Sequence, residues 1–388
     1  MANSAGRWVA IDVVRGCAIV SMVVSHLHGD GAFYRFTHLQ AGFDGASGFV
    51  LLSGLVLGMV QHRRLGREGL PAVQLRTARR LGLLYASQVG LGLLALLVIP
   101  AFREPAEADP RGAVLGVLTL RVAPSAGNIL RMYVVFFLLA IPVYVLLAAG
   151  RTAVALLSSL AVYLAGAYAG PAYTTFSGAA GGQGFSWAGW QLLFFSALAL
   201  GWHWRRLDAR AFLSRRRWQV LAGTALGLVA TRLAYPYVPA LFAKSVFAPG
   251  RILVAYLGLA FLVVLVDLLL ERLPGWPLRP LAALGRRSLD CYLWQALAGM
   301  LLLSTALVPR SALLAWGTLG WCWVWAEARA AWTRRRAVPG SVVAPPQPVV
   351  AGVTAPDAGS SASPRSALPS PLPAPAAQPP VPPSGPPC

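Results

Sequence analysis

The sequence predicts an all-α, polytopic integral membrane protein with about ten transmembrane helices and a disordered, proline-rich C-terminal tail. Three observations support this fold class. The 388 residues are 57% hydrophobic and 12% charged, with a mean hydropathy of +0.61, values far outside the soluble range. Apolar stretches long enough to cross a bilayer recur along most of the chain. Arginines cluster in every second connection between these stretches, as they do in the cytoplasmic loops of membrane proteins.

The apolar stretches give the order of the predicted spans. Each approaches the length of about 20 residues that a helix needs to cross the hydrocarbon core. The predicted spans are residues 9–28, 43–61, 81–100, 126–148, 152–170, 187–204, 218–234, 251–270, 288–308 and 312–330. Residues 111–125 are less apolar, because Arg121 and Pro124 interrupt them, and they favour a short interfacial helix.

The basic residues predict the orientation of the spans. Arginines concentrate in the connections 62–80, 205–217 and 271–287, and again at 329–336 after the last span. Because cytoplasmic loops carry an excess of Lys and Arg, these segments and both termini are predicted to be cytoplasmic. Topology thus accounts for the net charge of +20, and the protein is expected to contact membrane lipid and no nucleic acid.

The composition changes abruptly near Ala337. The segment that follows is rich in Pro, Ala and Ser and nearly uncharged, so it lacks the apolar surface that a folded core requires. We therefore predict a membrane domain over residues 1–336 and a disordered cytoplasmic tail over 337–388. The tail is interpreted either as a dispensable extension or as a docking segment for a proline-recognising partner.

No metal site is predicted. The four cysteines, at positions 17, 291, 322 and 388, are scattered and have neither metal-ligand spacing nor a disulfide pattern.

The first predicted helix carries three ionisable residues on one side. Arg15 and His26 are eleven residues apart, which returns a helix to within about 20° of the starting direction, and Asp12 precedes Arg15 by three positions. A charge inside a spanning helix costs about 2.5–3.5 kcal/mol, so these residues require a compensating role or partner. A functional site and a structural role, with a snorkelling arginine and an interfacial histidine, are both consistent with the pattern.

A second group of polar residues lies in the connection after the second span. Arg76 and Arg79 share a helical face, and Arg80 lies one turn from Arg76. Guanidinium groups bind phosphates well, so a docking site for a phosphorylated cytosolic donor is one interpretation, and charge that only sets the topology is the other.

Arg131 and Asp267 are isolated charges near the ends of spans and are interpreted as snorkelling side chains.

Several segments together resemble the OpgC family of membrane acyltransferases, which belongs with the acyltransferase-3-like proteins. The resemblance covers about residues 7–330 and rests on Ile11-Asp12-Val-Val-Arg15-Gly16 with His26, on Phe49-Val-Leu-Leu-Ser53-Gly54, on Trp190-Gln191-Leu-Leu-Phe194-Phe195 and on Leu284-Gly285-Arg-Arg-Ser288-Leu289. Studied members of that family succinylate periplasmic glucans.

The resemblance implies a membrane O-acyltransferase that moves an acyl group from cytosolic acyl-CoA to an extracytoplasmic glycan hydroxyl. Succinyl-CoA is one candidate donor, and no permanently bound cofactor is expected. His26 is then the catalytic base or a transient acyl carrier, while Asp12 and Arg15 position the donor or the first helix. The resemblance also implies that the phosphates of CoA are bound by Arg76, Arg79 and Arg80.

The acceptor is expected on the outer side of the membrane. Trp190 and Gln191 begin the sixth predicted span at its outer end and are candidates for acceptor binding, as is Asp44. An interfacial tryptophan and a helix-capping amide are the structural alternative. Other polar residues of the first outer loop, His28, Asp30, Tyr34, Arg35 and His38, are further candidates for the mouth of this site, or are simply solvated.

The expected location is the plasma membrane of a bacterium, and the oligomeric state is left open. A transporter or flippase for an envelope glycan or lipid-linked precursor is the main alternative function, since intramembrane charges also occur in such proteins. No internal repeat between the two halves of the sequence supports it. A silent scaffold that acts through the proline-rich tail is a third interpretation.

Overall fold

The computed structural model describes residues 8–29, 31–38, 40, 42–124, 127–170, 174, 185–303 and 309–336. The predicted tail, residues 337–388, and Asp30 lie outside the described residues. Within the described part the elements are helical, which confirms the predicted all-α class.

The helices follow one another with short connections. They are α1 (Val9–Leu27), α2 (Ala32–Thr37), α3 (Gly45–Val98), α4 (Pro100–Ala108), α5 (Pro110–Leu118), α6 (Asn128–Ala148), α7 (Thr152–Ala169), α8 (Trp187–Trp202), α9 (Ala209–Arg215), α10 (Arg217–Ala234), α11 (Pro249–Arg272), α12 (Arg279–Arg286), α13 (Ser288–Ala298) and α14 (Ala312–Arg336). A 3₁₀ turn covers Pro239–Phe242, and one π-helical turn, Gly299–Leu303, follows α13.

Five helices in the described part are long and apolar enough to cross a membrane: α1, α3, α6, α7 and α11. The predicted count of about ten spans is therefore not confirmed. One reason is that two predicted spans, 43–61 and 81–100, lie on either side of a backbone break within α3, which enters this count once. Another is length, because α8 has 16 residues and α13 has 11, fewer than a span of typical thickness needs.

The connection predicted over residues 62–80 is helical in the structure. The helical hydrogen bonding of α3 continues through it, and the backbone breaks only at Gly69, with φ 79° and ψ 171°. This conformation is accessible to glycine, and Pro71 two residues later lacks the N–H that would continue the helix across the break. The predicted loop is thus a change in helix direction.

The short helix predicted within 111–125 is present as α5. Asp109 caps its first turn by accepting the Gly112 N–H at 2.9 Å, and Pro110 occupies the first helical position.

Glycines bring α1 into backbone contact with α12. A Cβ atom on Gly16 would collide with the carbonyl oxygen of Leu281, and one on Gly285 would collide with the carbonyl oxygen of Asp12. Small residues of this kind are what allow helices in membranes to approach closely. The Arg15-Gly16 and Gly285-Arg-Arg-Ser288 motifs, about 270 residues apart in sequence, therefore lie against each other.

Glycines also join α3 to α8. Cβ atoms on Gly54 and Gly58 would collide with the carbonyl oxygens of Phe194 and Leu198, and one on Gly201 would collide with that of Leu55. This contact holds the first half of α3 in place, and the first half of α3 lines the cavities described next.

Candidate active site

Arg15 lies at the junction between α1 and the start of α13. Its guanidinium donates to the hydroxyl of Ser288 at 2.8 Å and stands 5.8 Å from the centre of the Phe49 ring. The close approach at Gly16 and Gly285 makes this hydrogen bond possible, because it brings the N-terminal end of α13 within reach of the arginine.

A cavity of about 540 Å³, here called the arginine cavity, opens beside Arg15. Its cationic residues come from α1 and from both sides of the break in α3: Arg15, Arg64, Arg76, Arg79 and Arg80. The rest of its wall is mainly apolar or hydroxyl-bearing, including Phe49, Ser53, Leu84, Tyr133 and Ser288. The break at Gly69 matters for this geometry, since it folds the second half of α3 back so that Arg76–Arg80 face the same space as Arg64.

Arg76 is paired with a carboxylate across the break in α3. Arg76 donates to Glu68 Oε2 through Nε at 3.0 Å and through Nη2 at 2.8 Å, across the break in α3. Both side chains are partly exposed, at 50% and 33%, so an anion arriving from water could displace Glu68.

A second, much smaller cavity of about 40 Å³, the histidine cavity, lies farther along α1. The polar side chains around it come from six separate parts of the chain: Ser21, Ser25, His26, His38, Asp44, Asn128, Tyr292 and Lys244. Nδ1 of His26 is buried and has no hydrogen-bond partner within the described residues. An imidazole nitrogen in this state is free to exchange a proton with a bound hydroxyl.

The two cavities meet at Tyr292 and Ile129. Both residues line the arginine cavity and the histidine cavity. The arginine cavity therefore adjoins the cavity that contains His26.

Asp44 organises the wall of the histidine cavity. Its Oδ1 accepts the backbone N–H and the hydroxyl of Ser47, at 2.8 and 2.7 Å, which caps the start of α3. Its Oδ2 accepts Arg251 Nη2 at 2.9 Å and Lys244 Nζ at 2.7 Å. Burial acts to raise the pKa of Asp44, but Lys244, Arg251 and the Ser47 hydrogen bond hold the pKa well below its usual range, so the carboxylate stays charged.

The Asn128 amide has one fixed orientation. Its Oδ1 accepts a hydrogen bond from Arg131, whose side chain is fully buried and also donates to the Leu120 carbonyl at 3.2 Å. Because a guanidinium only donates, the oxygen of the amide must face Arg131 and its NH₂ group remains for another acceptor. The prediction that Arg131 snorkels to the membrane surface is wrong, since its guanidinium is used inside the protein.

A third cavity, of about 580 Å³, adjoins the arginine cavity and is called the tryptophan cavity. Arg15, Val56 and Val60 line both. The other residues around it are Trp8, Ile11, Asp12, Met59, Arg63, Trp204, Arg205, Asp208, Ala209 and Arg210.

Seven of the nine predicted site residues line the three cavities. His26 and Asp44 meet at the histidine cavity, whereas Arg15 joins Arg76, Arg79 and Arg80 at the arginine cavity. Asp12 lies with Arg15 at the tryptophan cavity. Of the outer-loop candidates, His38 lines the histidine cavity, where its ring stacks on Tyr34 at 4.1 Å.

Trp190 and Gln191 occupy a different environment from the open acceptor mouth expected of them. Trp190 is fully buried, with its ring centre 4.2 Å from that of Phe247. Gln191 joins α8 to α7, since Oε1 accepts the Ser159 hydroxyl and Nε2 donates to the Ser159 carbonyl, both at 2.7 Å. Neither lines one of the three cavities, because the start of α8 packs against neighbouring helices.

Sequence reasoning missed four residues of these walls: Lys244, Asn128, Tyr292 and Ser288. Two signals were available. Lys244 is the only lysine among 33 basic residues, and Arg131 is an isolated charge inside an apolar segment that needs a nearby acceptor. Among the described residues no cluster of His, Cys, Asp and Glu suited to a metal ion is present.

Comparison with protein families decides the affiliation of this chain. The family model described as OpgC protein matches residues 7–336. The chain belongs to the OpgC family. No curated protein and no solved structure matches the chain.

The OpgC match spans α1 to α14 and so includes the walls of all three cavities. Membership in the OpgC family, with the long apolar helices, identifies a membrane protein. It also assigns the chain, at a coarse level, to the transferases, with a glucan-modifying, acyltransferase-like function.

Proposed function

We propose that this OpgC-family protein is an O-acyltransferase that takes an acyl group from acyl-CoA in the cytoplasm and transfers it to a hydroxyl of an extracytoplasmic glycan. The observation that carries the proposal is the meeting of two unlike cavities at Tyr292 and Ile129. One is large and lined by five arginines, and the other is small and contains His26. Donor binding and acceptor activation are therefore assigned to separate compartments that share a wall.

The arginine cavity suits the donor. CoA carries phosphates, which guanidinium groups bind through paired, charge-assisted hydrogen bonds. The apolar residues of the same cavity suit the acyl-pantetheine arm, which has little charge. If the donor is succinyl-CoA, the distal carboxylate of the acyl group also needs a cation, and Arg15, whose guanidinium Ser288 holds in place, is the candidate.

The histidine cavity suits the acceptor. In the proposed step His26 removes the proton from a glycan hydroxyl, whose oxygen attacks the thioester carbon. The carbon–sulfur bond then breaks, and the leaving thiolate of CoA takes the proton from the imidazolium. Products are the O-acyl glycan and CoA, and His26 returns to its neutral form.

Asn128 is proposed to stabilise the oxyanion of this step. Its amide nitrogen is left to donate because Arg131 holds the amide oxygen, and the residue lines the same cavity as His26. A fixed donor directed at a developing negative charge is an effective catalytic device, since it requires no reorganisation during reaction.

The proposed location is the plasma membrane of a bacterium, with both termini in the cytoplasm. The arginine-rich segments around the donor cavity support this orientation through the positive-inside rule. His26, eleven residues along α1 from Arg15, is then about 16 Å closer to the outer surface.

The direct test is acyl transfer by purified protein in lipid nanodiscs, with succinyl-CoA and acetyl-CoA as donors and a β-glucan oligosaccharide as acceptor. Release of the CoA thiol and the gain of one acyl mass on the glycan are measured together. We expect His26→Ala to lower kcat at least about 100-fold, because general-base catalysis contributes about 10²–10⁴. Binding of acyl-CoA should remain, because His26 lines the acceptor compartment.

His62→Ala is the matched control, because His62 packs on Trp202 and lines none of the three cavities. This variant should transfer at the wild-type rate. A folded His26→Ala protein that acylates the glycan as fast as the wild type would overturn the assignment of the base. A wild-type protein that neither binds acyl-CoA nor modifies the glycan would overturn the proposed function itself.

A further inference from the structure

We propose that the tryptophan cavity binds the adenine nucleotide end of the acyl-CoA donor. This inference rests on the proposed function, and it adds a second compartment to the donor site. The chemical group recognised is a purine base with its attached phosphates.

The first argument is continuity. The tryptophan and arginine cavities share Arg15, Val56 and Val60. Both exceed 500 Å³, so together they offer far more space than an acyl-pantetheine arm alone requires.

The second argument is direction. The thioester must lie near Tyr292, because that side chain borders the cavity of His26. The pantetheine arm separates the thioester from the nucleotide, so the nucleotide belongs at the far end of the donor site. Tyr292 lines the arginine cavity and is absent from the wall of the tryptophan cavity, which makes the latter the distal compartment.

The third argument is the aromatic pair at this distal end. The rings of Trp8 and Trp204 have centres 5.8 Å apart and are tilted by 44°, so they do not stack flat on each other. Trp8 is held in place, since its Nε1 donates to Asp267 Oδ1 at 2.9 Å. A fixed indole face is a stacking surface for a base, and such stacking tolerates any base with a π-face.

The fourth argument is charge. The guanidinium of Arg210 lies 5.5 Å from the centre of the Trp8 ring, and Arg63 and Arg205 line the same cavity. Arginines next to a stacking surface are well placed to bind the phosphates of a nucleotide whose base stacks there. Asp12 and Asp208 supply carboxylates, which accept hydrogen bonds from the exocyclic amine of adenine.

The backbone at Asp208 supports the same geometry. Asp208 adopts φ 45° and ψ 37°, the left-handed region that side-chain-bearing residues rarely occupy. The turn leads directly into Ala209 and Arg210, which line the cavity together with Asp208.

An anionic lipid headgroup also carries a phosphate, and the experiment must separate it from the nucleotide. Full-length protein is reconstituted in nanodiscs of phosphatidylcholine and, in parallel, in nanodiscs containing phosphatidylglycerol. The probes are CoA, dephospho-CoA and adenosine 3′,5′-bisphosphate, with binding measured by calorimetry. The variants are Trp204→Ala and Arg210→Ala.

The chain offers matched controls. Trp218 and Arg272 form the same type of pair, with the guanidinium 5.9 Å from the ring centre, but line none of the three cavities. Trp218→Ala and Arg272→Ala should bind CoA as the wild type does. Arg210 is exposed, so Arg210→Ala tests the proposal even if the loss of a larger side chain at Trp204 impairs folding.

We expect Trp204→Ala to raise the Kd for CoA and for the bisphosphate about tenfold. A tenfold change in Kd corresponds to about 1.4 kcal/mol, which is within the free energy that base–aromatic stacking contributes. Arg210→Ala should weaken CoA more than dephospho-CoA. Both variants should use an S-acyl-pantetheine donor, which has no nucleotide, at the wild-type rate. That last result separates a lost nucleotide contact from a damaged active site.

Three results would overturn the inference. If the wild type binds CoA and both variants bind it equally well, the nucleotide lies elsewhere and the donor proposal stands. If phosphatidylglycerol excludes the bisphosphate in the wild type but no longer does so in Arg210→Ala, the cavity is a lipid site. If the wild type binds no CoA in either nanodisc, the proposed function fails together with this inference.

Discussion

At the residue scale, one buried hydrogen bond decides what Asn128 offers to the histidine cavity. An asparagine presents an acceptor on one side of its amide and a donor on the other, and sequence alone leaves either orientation open. Arg131 removes the choice, because its guanidinium occupies the oxygen. A fully buried arginine is costly in a membrane protein, so its retention next to a candidate catalytic histidine is consistent with use in function.

We predict that Asn128→Ala lowers kcat about 100-fold while the Kd for acyl-CoA stays near the wild-type value, as expected for loss of one oxyanion donor. Asn128→Asp should be at least as impaired, because a carboxylate pairs with Arg131 but cannot donate to an oxyanion. Steady-state kinetics with calorimetric binding checks both values. Equal activity of the aspartate variant and the wild type would show that Asn128 serves only to anchor Arg131.

A second prediction at this scale concerns Glu68, which pairs with the Arg76 guanidinium at 2.8 Å. On the proposed function, Glu68→Gln would remove an anion that competes with the phosphates of the donor for Arg76. Because an exposed ion pair is worth about 0–1 kcal/mol, the KM for acyl-CoA should fall by up to about fivefold, with kcat little changed.

The control for this change is Glu107→Gln. Glu107 pairs with Arg103 at 3.4 Å, and neither residue lines the arginine cavity. Raised ionic strength should shrink the difference between Glu68→Gln and the wild type, since salt screens exposed charges. A higher KM in Glu68→Gln would mean that the ion pair orders Arg76 for donor binding instead of competing with it.

At the element scale, the glycines between α1 and α12 connect helix packing to the geometry of the arginine cavity. Gly16 and Gly285 each lie directly against a backbone carbonyl of the other helix. Any added side-chain carbon would separate the helices and draw Ser288 away from Arg15, which it now contacts at 2.8 Å.

We therefore predict that Gly285→Ala costs about 1–3 kcal/mol through overpacking and also raises the KM for acyl-CoA. Gly223→Ala, on α10, is the control, because nothing lies within 4 Å of its added Cβ and alanine favours helices by up to about 1 kcal/mol. Thermal unfolding in detergent should show a lower midpoint for Gly285→Ala and an unchanged or higher one for Gly223→Ala. Equal midpoints for the two variants would contradict the packing argument.

How much of this the sequence predicts depends on the range of the interaction. Hydropathy and helical periodicity are local, and they place His26 and Arg15 on one helix and Arg76 and Arg79 on another. Lateral contacts between helices leave no comparable local pattern. The pair formed by Asp44 and Arg251, 207 positions apart, depends on such a contact, and the sequence does not predict it. The burial of Trp190 depends on such contacts too, whereas the sequence predicts this residue at an outer helix end facing the acceptor.

The break in α3 shows the same limit within one element. The arginine-rich residues 62–80 predict a connection between two apolar spans. The residues on both sides nevertheless satisfy their backbone hydrogen bonds in helices, so a change of direction is sufficient. That change is what brings Arg64 and Arg80 to one cavity, a result that charge spacing alone does not give.

At the scale of the whole molecule, the order of the compartments predicts a sided reaction. The arginine cavity and the histidine cavity follow each other along α1, with Tyr292 and Ile129 between them. If the arginine-rich segments lie in the cytoplasm, as proposed, the donor would enter from inside and the acceptor from outside, and only the acyl group would need to pass the shared wall.

We predict that proteoliposomes with glycan sealed in the lumen and acyl-CoA added outside will acylate the enclosed glycan. Molecules inserted with their cytoplasmic face outward perform this transfer, and CoA thiol should appear only outside. Liposomes containing His26→Ala and liposomes without protein give the background, and an enclosed dye reports leakage. Transfer that occurs only when donor and glycan share one side of a sealed membrane would contradict this prediction, because both substrates would then enter through the same opening.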